Sequence, residues 1–373
     1  MLQTCTHRFL IAIIGSVFLA NFAYADGWQF TGALQTPRSN FEAIVLSNGK
    51  VLAISGADAD DHATPTCELF DPTTMSWSYT GSLVKARSRF QAILLTTGEV
   101  LVVGGRQTSG LATASCELYD PNTGTWRLTG RMYEFRDNHR ACLLADGKVL
   151  VTGGTSFVPQ FVMKSAEIYD RATETWTQTK DMGSARFNHS QTLLADGKVL
   201  VVGGSGNGGD RNSVPLSELY DPMTNQWSKV SPIKEPTQLH EAVTLGDGSV
   251  LVCGGWTLPA NAPHASASTY LYTQSYALER VSDMLEGRSA FRAILMQDGS
   301  VLAAGGLNSS DDSLSSVERF SPESKIWSAA AGLNMGRYAF AVAKLADGRV
   351  LAIGGLHGSN YVNSVEVYDP STP

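Results

Sequence analysis

Arginine and glutamate recur so regularly in this chain that they are the first candidates for chemistry. Six arginines and six glutamates each occupy one equivalent position in units about 50 residues long. They are Arg38, Arg87, Arg136, Arg186, Arg288 and Arg337, with Glu68, Glu117, Glu167, Glu218, Glu318 and Glu366. A guanidinium is a rigid fork of donors that suits a carboxylate ligand. The fifth unit has Thr237 for arginine and Tyr270 for glutamate, and this joint loss favours an ion pair within each unit.

Three histidines occupy a second equivalent position, in three consecutive units: His139, His189 and His240. Three histidines with an open fourth position are typical of catalytic zinc. The other four units have phenylalanine at the same position: Phe41, Phe90, Phe291 and Phe340. Because a position that accepts phenylalanine is suited to packing, we predict that the histidines pack in the core, and we expect neither a metal nor another cofactor.

The positions on either side of this histidine or phenylalanine are largely polar and differ between units. The residues before it are Asn40, Arg89, Asn138, Asn188, Leu239, Ala290 and Ala339. The residues after it are Glu42, Gln91, Arg140, Ser190, Glu241, Arg292 and Ala341. Because alternate residues of a strand face the same side, we predict that both sets lie on one surface. If the units form a ring, as argued below, this surface lines its central channel. The predicted ligand-binding residues are Asn40, Glu42, Arg89, Gln91, Asn138, Arg140, Asn188, Glu241 and Arg292.

The channel predicted from these residues is asymmetric, with amide and guanidinium groups on one side and apolar residues on the other. Such a mouth suits a polar ligand that has one apolar side, such as a sugar or a peptide segment. The alternative is a channel that holds only solvent. Glu42 or Glu241 could also exchange a proton with a ligand beside Arg140 or Arg292.

The elements that position these residues are seven copies of one unit. The second glycine of a paired-glycine site recurs at steps of 49, 49, 50, 51, 51 and 49 residues, from Gly56 to Gly355. A turn dipeptide such as Asp146-Gly147 precedes each site, and this type of dipeptide between apolar runs indicates a tight hairpin. Each unit therefore contains four strands, A to D, and strand A is expected to be innermost.

Tryptophan marks strand D and lies ten residues before the recurring arginine, as in Trp126 and Arg136. Trp28 and Arg38 have the same spacing, so the repeats open with a lone strand D. They end near Asp369 after a lone strand C. We predict that the first strand joins the last unit and closes a ring, which leaves no unpaired strand edge.

The period, the glycine pairs and the tyrosine and tryptophan positions resemble the kelch repeat, over residues 28 to 370. The resemblance implies an all-β, seven-bladed kelch β-propeller, which we assign to residues 26–373. It also implies a site at the channel mouth, on the face of the B–C and D–A loops. The B–C loops are long and variable, as expected of binding loops on a rigid scaffold.

The first 25 residues have the pattern of a secretory signal peptide cleaved after Ala25. We therefore expect a secreted or periplasmic protein with no membrane span after cleavage. The formal charge is −7, from 28 basic and 35 acidic residues, and no basic cluster occurs, so nucleic acid is excluded as a partner. Cys67, Cys116, Cys142 and Cys253 are expected to be buried and unpaired. We expect a monomer.

The fifth unit carries Trp256 outside the repeat register, in a long B–C loop. Aromatic side chains of this kind stack on sugars or cations, so Trp256 is a further candidate ligand-binding residue. The alternative is a loop that buries its own tryptophan. The acidic segments 58–61 and 311–312 lack ordered calcium-ligand spacing, and we expect solvated loops there.

The resemblance also covers enzymes, namely copper-radical sugar oxidases similar to galactose oxidase and six-bladed sialic-acid mutarotases. The oxidase site requires two tyrosines and two histidines at the channel, and this chain lacks a tyrosine at the positions before the packing residue. We predict a non-catalytic propeller that binds a carbohydrate or a protein partner. The alternative is a carbohydrate-active enzyme of the mutarotase or oxidase type.

Overall fold

The inner hairpin of each unit turns at the predicted dipeptide, because the turn needs a backbone angle that glycine adopts freely. The turn glycines, among them Gly49 and Gly348, have φ between 80° and 93°. The residue before the glycine caps the turn in most units, as where Asp146 Oδ1 accepts the N–H of Lys148 at 3.1 Å. The computed structural model describes residues 27–157, 160–206, 214–235, 237–257 and 263–371.

Four-stranded antiparallel sheets form the blades. Strand β1 (Trp28–Phe30) opens the described chain and belongs to the seventh blade. Blade 1 contains β2 (Glu42–Val45), β3 (Val51–Ile54), β4 (Cys67–Asp71) and β5 (Ser76–Tyr79). Blade 2 contains β6 (Gln91–Leu94), β7 (Val100–Val103), β8 (Cys116–Asp120) and β9 (Thr125–Thr129). Blade 3 contains β10 (Arg140–Leu143), β11 (Val149–Thr152), β14 (Ala166–Asp170) and β15 (Thr175–Gln178), with the loop hairpin β12 (Thr155–Phe157) and β13 (Gln160–Val162).

The remaining blades repeat this order. Blade 4 contains β16 (Ser190–Leu193), β17 (Val199–Val202), β18 (Ser217–Asp221) and β19 (Gln226–Val230). Blade 5 contains β21 (Glu241–Thr244), β22 (Val250–Cys253), β25 (Thr269–Tyr272) and β26 (Leu278–Arg280), with β20 (Thr237–Gln238), β23 (Trp256–Thr257) and β24 (His264–Ala265) in its loops. Blade 6 contains β27 (Arg292–Leu295), β28 (Val301–Ala304), β29 (Val317–Ser321) and β30 (Ile326–Ala330). Blade 7 contains β31 (Ala341–Lys344), β32 (Val350–Ile353) and β35 (Val365–Tyr368), with the loop hairpin β33 (Leu356–His357) and β34 (Asn360–Tyr361).

The first strand closes the ring, as predicted. β1 pairs antiparallel with β35, with Trp28 opposite Tyr368 and Phe30 opposite Glu366. The innermost strands contact one another in the cyclic order β2, β6, β10, β16, β21, β27 and β31, and β31 contacts β2. The all-β, seven-bladed architecture is therefore confirmed.

The hydrophobic core lies between neighbouring blades. Between blades 1 and 2, Leu52 and Ile54 pack with Phe90, Tyr119 and Trp126. The rings of Tyr119 and Trp126 are tilted, with centroids 5.0 Å apart, an arrangement that aromatic pairs prefer. The recurring tyrosine and tryptophan therefore fill the blade interfaces.

The cysteine thiols belong to this packing. Cys67, Cys116 and Cys253 are buried, Cys142 is partly buried, and none of the four forms a disulfide. Burial raises the pKa of the Cys67 thiol to about 11 and that of Cys116 to about 12. These thiols stay protonated at neutral pH, so they are poor nucleophiles.

No helix among the described residues is both long and apolar enough to cross a membrane. The predicted signal peptide, residues 1–25, lies outside the described residues.

Candidate functional site

Seven backbone hydrogen bonds encircle the loop-face end of the channel. The residue just before each packing histidine or phenylalanine donates its N–H to the carbonyl of the equivalent residue in the preceding blade. The N–H of Asn40 bonds to Ala339 at 3.1 Å, for example, and that of Arg89 bonds to Asn40 at 3.0 Å. The other members are Asn138, Asn188, Leu239 and Ala290, so the bonds form a closed ring, which we call the neck ring.

The neck ring has a backbone conformation that the sequence analysis did not anticipate. All seven residues have φ between 49° and 56°, in the left-handed region. They are therefore not part of the extended strand, and the expected alternation does not explain why they line the channel. Asparagine tolerates this region better than most residues. Its presence at three of the seven positions is a signal that would have indicated the conformation.

The neck ring limits what can enter the channel. The ring contains one residue from each of the seven blades, so its opening is narrow. Every ring N–H is used in closing the ring, and these hydrogen bonds hold its backbone in place. A folded domain is too large for an opening of seven residues, which leaves a small molecule or one chain segment.

A small cavity with an open mouth lies at the neck ring. Eight of the predicted ligand-binding residues line it: Asn40, Glu42, Arg89, Gln91, Asn138, Arg140, Asn188 and Arg292. Leu239, Ala290 and Ala339 form its apolar side. Phe41, Phe90 and His139 also line it, although the sequence analysis placed them in the core. The predicted asymmetry is therefore present, and a ligand-binding role for these residues stays a prediction.

Glu241 lies beside this cavity and pairs with Arg292. Arg292 Nη1 donates to Glu241 Oε1 at 3.0 Å, across the boundary between blades 5 and 6. Arg292 Nε donates to the carbonyl of Phe340 at 2.9 Å. Both ends of this guanidinium are therefore held by the protein.

Arg140 is held at one end only. Its Nε donates to the carbonyl of His189 at 2.6 Å. Among the described residues, neither of its terminal amino groups has a hydrogen-bond partner. An arginine side chain remains charged in proteins, so Arg140 presents a charged pair of donors to the cavity.

Glu42 completes this charged layer. Its Oε1 accepts a hydrogen bond from Gln91 Nε2 at 3.1 Å. Burial raises the pKa of the Glu42 carboxyl, although the positive charges of Arg292 and Arg140 oppose the rise. The layer thus combines two carboxyl groups with two guanidinium groups and can both donate to and accept from a ligand.

The recurring arginines do not face the channel. Each is fully buried and pairs with the glutamate of its own blade, as where Arg87 Nη2 lies 2.6 Å from Glu117 Oε1. Glu117 also accepts the N–H groups of Val84 and Lys85, at 2.6 and 3.0 Å. The predicted intrablade ion pair is therefore confirmed.

The three histidines are buried and face three different blade interfaces. His189 Nε2 lies 2.8 Å from Thr152 Oγ1, and His240 Nε2 lies 2.9 Å from Ser190 Oγ. Neither ring nitrogen of His139 has a hydrogen bond of normal geometry. Each imidazole packs against a glycine of the preceding blade, where a Cβ on Gly104 would lie 2.8 Å from His139 Cε1. These positions are packing positions, as the shared phenylalanines indicated.

Trp256 does not join the other candidate residues. It lies in β23, opposite Gln238 of β20 and Ala265 of β24, and it is partly buried outside the cavity. The same blade replaces the missing ion pair with Tyr270, whose hydroxyl oxygen accepts the N–H of Glu235 at 3.1 Å. Trp256 thus belongs to a small sheet in the loops of blade 5.

The acidic segment of blade 1 shapes its loop. Asp58 Oδ1 accepts the N–H groups of Asp60 and His62, each at 3.1 Å. Side-chain ligand atoms of these three residues lie within 4.8 Å of one another. In blade 6 the equivalent acceptor is Asn308, whose Oδ1 accepts the N–H groups of Ser310 and Asp312. The carboxyl groups of Asp311 and Asp312 do not have this role. In both loops a side-chain oxygen thus caps the turn, and solvated loops stay a prediction.

The chain belongs to the kelch-repeat family. The family model described as the KLHDC2/KLHL20/DRC7 Kelch-repeats domain matches residues 41–255, and the Kelch motif matches residues 288–334 and 338–373. Among curated protein sequences, none matches this chain.

Two solved structures are similar in fold. One is a fungal alcohol oxidase of the AA5 family in complex with copper, at 17% identity and a TM-score of 0.74, covering 94% of this chain and 79% of that one. The other is YjhT, at 15% identity and a TM-score of 0.63, covering 80% of this chain and 98% of that one. At these identities the likeness concerns the fold alone.

The channel residues do not suit a copper site of the oxidase type. Among the described residues that line the cavity there is no tyrosine, and the one histidine is the buried His139. The four thiols stay protonated, and Cys142, on the innermost strand β10, interacts with Gln191 Nε2 at 3.0 Å. The tyrosine and histidine set that such a site requires is absent from this cavity.

Proposed function

We propose that the protein is an exported kelch propeller that binds a carbohydrate at the channel mouth without catalysing a reaction. The observation that carries this proposal is the two-sided cavity at the neck ring. Kelch domains generally mediate protein binding, so a protein segment that enters the same mouth is the alternative ligand.

The lining chemistry supports a carbohydrate. Amide and guanidinium groups of Asn138, Asn188 and Arg89 can donate hydrogen bonds to sugar hydroxyls, and Glu42 can accept them. The apolar face of a sugar ring can lie against Leu239 and the alanines that follow it around the neck ring. Because the charged layer includes the unpartnered donors of Arg140, an acidic sugar gains an additional contact.

Thermal unfolding of the purified protein tests this proposal against a panel of neutral sugars, acidic sugars and divalent metals, with a chelator as a further condition. A ligand at one hundred times its Kd adds about 2.7 kcal/mol to the stability, which raises the Tm measurably. We expect a shift with a sugar. A fall of the Tm with chelator would indicate a bound metal, and no shift with any sugar would contradict the proposal.

A pair of variants locates the site. Arg89→Ala combined with Asn138→Ala removes two side chains of the cavity without touching the core, so the Tm shift with sugar should disappear. Arg131→Ala is the control, because this arginine lies on the same face over the ring of Phe135, outside the cavity. An unchanged affinity in the double variant would exclude the channel mouth as the site.

A mutarotase activity is the second candidate function, and the meeting of carboxyl and guanidinium groups in one layer favours it. Burial raises the pKa of the Glu42 carboxyl, whereas Glu241 is paired with Arg292. Two carboxyl groups in different environments are typical of an acid and a base. Polarimetry of a freshly dissolved α-aldose decides this point: faster anomer exchange that Glu42→Gln abolishes would identify an enzyme.

A further inference from the structure

A second cavity lies on the loop face beside the channel. It is an open groove between the B–C loops of blades 1 and 2. Its lining includes Asp60, Asp61 and His62 of blade 1 with Arg106, Gln107 and Ser109 of blade 2. Asn40 and Arg89 line both this groove and the channel cavity, so the two spaces adjoin at these residues.

The groove is held open by hydrogen bonds of its own loops. In blade 1, Ala57 pairs with Ala63 as an antiparallel bridge, and in blade 2 Arg106 pairs with Ala112 in the same way. Thr108 Oγ1 donates to the carbonyl of Ala63 at 3.1 Å and links the two loops. The groove is therefore a fixed feature of the fold.

The side chains along the groove offer contacts to a hydroxylated ligand. Among the described residues, the side chains of Gln107, Ser109 and Arg89 form no hydrogen bond with the protein, and Gln107 is partly buried. Asp137 is buried, and burial raises the pKa of its carboxyl, although the positive charges of Arg89 and Arg106 oppose the rise. Its Oδ2 has no hydrogen-bond partner among the described residues.

We infer that the ligand is one end of a saccharide chain, with the terminal unit in the channel cavity and the following units in the groove over blades 1 and 2. This inference rests on the proposed function. Because the neck ring is closed, a chain can enter it only by one of its ends. The groove begins at Asn40 and Arg89, where a chain that leaves the channel would emerge, and its amide, hydroxyl and carboxylate groups match sugar hydroxyls.

Calorimetric titration with chains of increasing length tests the inference. The probes are glucose, N-acetylglucosamine and galacturonic acid, each from monosaccharide to tetrasaccharide. In the series that binds, we expect the Kd to fall at least tenfold from monosaccharide to trisaccharide and then to level off. A Kd that is independent of length would overturn the inference and leave the proposed function intact, whereas no binding in any series would contradict both.

Groove variants separate the two spaces. Gln107→Ala with Ser109→Ala should remove the gain with chain length while leaving the monosaccharide Kd unchanged. Ser310→Ala is the matched control, because Ser310 occupies the position of Ser109 in the equivalent loop of blade 6. If the affinity of the double variant still increases with chain length, the following sugar units bind elsewhere and the proposed role of the groove is wrong.

Discussion

Arg292 Nη1 lies 3.0 Å from Glu241 Oε1, across the boundary between blades 5 and 6. Among the described residues, the second arginine of the same layer, Arg140, forms a hydrogen bond only through Nε, which donates to the carbonyl of His189. Two residues at equivalent positions of different blades thus differ in what they offer a ligand. One is neutralised by a carboxylate, and the other keeps two donors free.

This difference predicts which arginine recognises an anionic ligand. Arg140→Gln should raise the Kd for galacturonic acid about 10- to 100-fold, because a hydrogen bond to a charged group contributes about 1.5–3 kcal/mol. Arg292→Gln is the matched comparison and should have a smaller effect, since Arg292 already pairs with Glu241. Calorimetry of both variants measures this, with galactose as the neutral ligand. Equal losses of affinity for galacturonic acid would contradict the assignment of Arg140 as the anion-binding residue.

The buried ion pairs predict a large stability effect. Glu117→Gln leaves the buried guanidinium of Arg87 without its counter-charge and should lower the free energy of unfolding by about 3–5 kcal/mol. Glu279→Gln is the control. Its pair with Lys325 is exposed, and such pairs contribute about 1 kcal/mol or less. Urea unfolding measures both, and similar losses would show that the buried pair is not structural.

Blade 5 suggests how such a loss can be repaired. It has Thr237 and Tyr270 in place of the pair. The double variant Arg87→Thr with Glu117→Tyr should therefore be more stable than either single variant, because neither buried charge remains. If the double variant loses as much free energy of unfolding as the two single variants together, other features of blade 5 must compensate for its missing ion pair.

The packing histidines predict a loss of stability in acid. Burial lowers the pKa of His240 to about 3 and holds the pKa of His139 well below its usual value. The unfolded chain then binds protons that the folded chain does not, so stability falls as the pH drops below about 6.5, by about 1.4 kcal/mol per pH unit for each such histidine. Above that pH, this contribution is constant.

His139→Phe tests this effect, because phenylalanine fills the position in four other blades. Its acid sensitivity should be smaller than that of the parent. At pH 8 the variant should be more stable by about 1 kcal/mol, because two buried ring nitrogens without good partners disappear. His62→Phe, at an exposed position, should leave the acid sensitivity unchanged. Melting curves at pH 8 and pH 5 supply both comparisons.

The neck ring predicts an unusual response to glycine. Ala290 and Ala339 have φ of 50° and 49°, a conformation that costs an alanine about 1–2 kcal/mol. Ala339→Gly should therefore raise the Tm, whereas Ala303→Gly, in the extended strand β28, should lower it. Ala290→Pro should destabilise strongly, because it removes a ring N–H and requires negative φ. A lower Tm for Ala339→Gly would show that the backbone of Ala339 is not strained.

The proposed export predicts a defined mature N-terminus. The apolar stretch from residue 9 to residue 20 is too short to span a bilayer comfortably, so cleavage after Ala25 should release a chain that begins at Asp26. N-terminal sequencing of protein recovered outside the cytoplasm checks this. A chain expressed from Asp26 with an initiating methionine should stay in the cytoplasm. Recovery of the intact N-terminus from the membrane would indicate an uncleaved anchor.

Much of the fold follows from local chemistry that repeats along the chain. The Asp-Gly turns and the Trp28 spacing predict four-stranded units and the ring closure, because a hairpin depends on a few adjacent residues and the repeat shows each hairpin seven times. The joint absence of arginine and glutamate in blade 5 was sufficient to indicate the ion pair. The candidate channel residues were grouped because they occupy equivalent positions in the repeat, although the strand alternation assumed for the neck-ring residues was wrong.

What only the tertiary structure decided concerns residues from different units. The pairing of Glu241 with Arg292, the free donors of Arg140 and the place of Trp256 outside the cavity depend on how neighbouring blades meet. The left-handed neck ring depends on hydrogen bonds that run from blade to blade around the channel. The groove depends on how the B–C loops of two neighbouring blades meet. Contacts of this kind form between residues about 50 positions apart, so no local pattern specifies them.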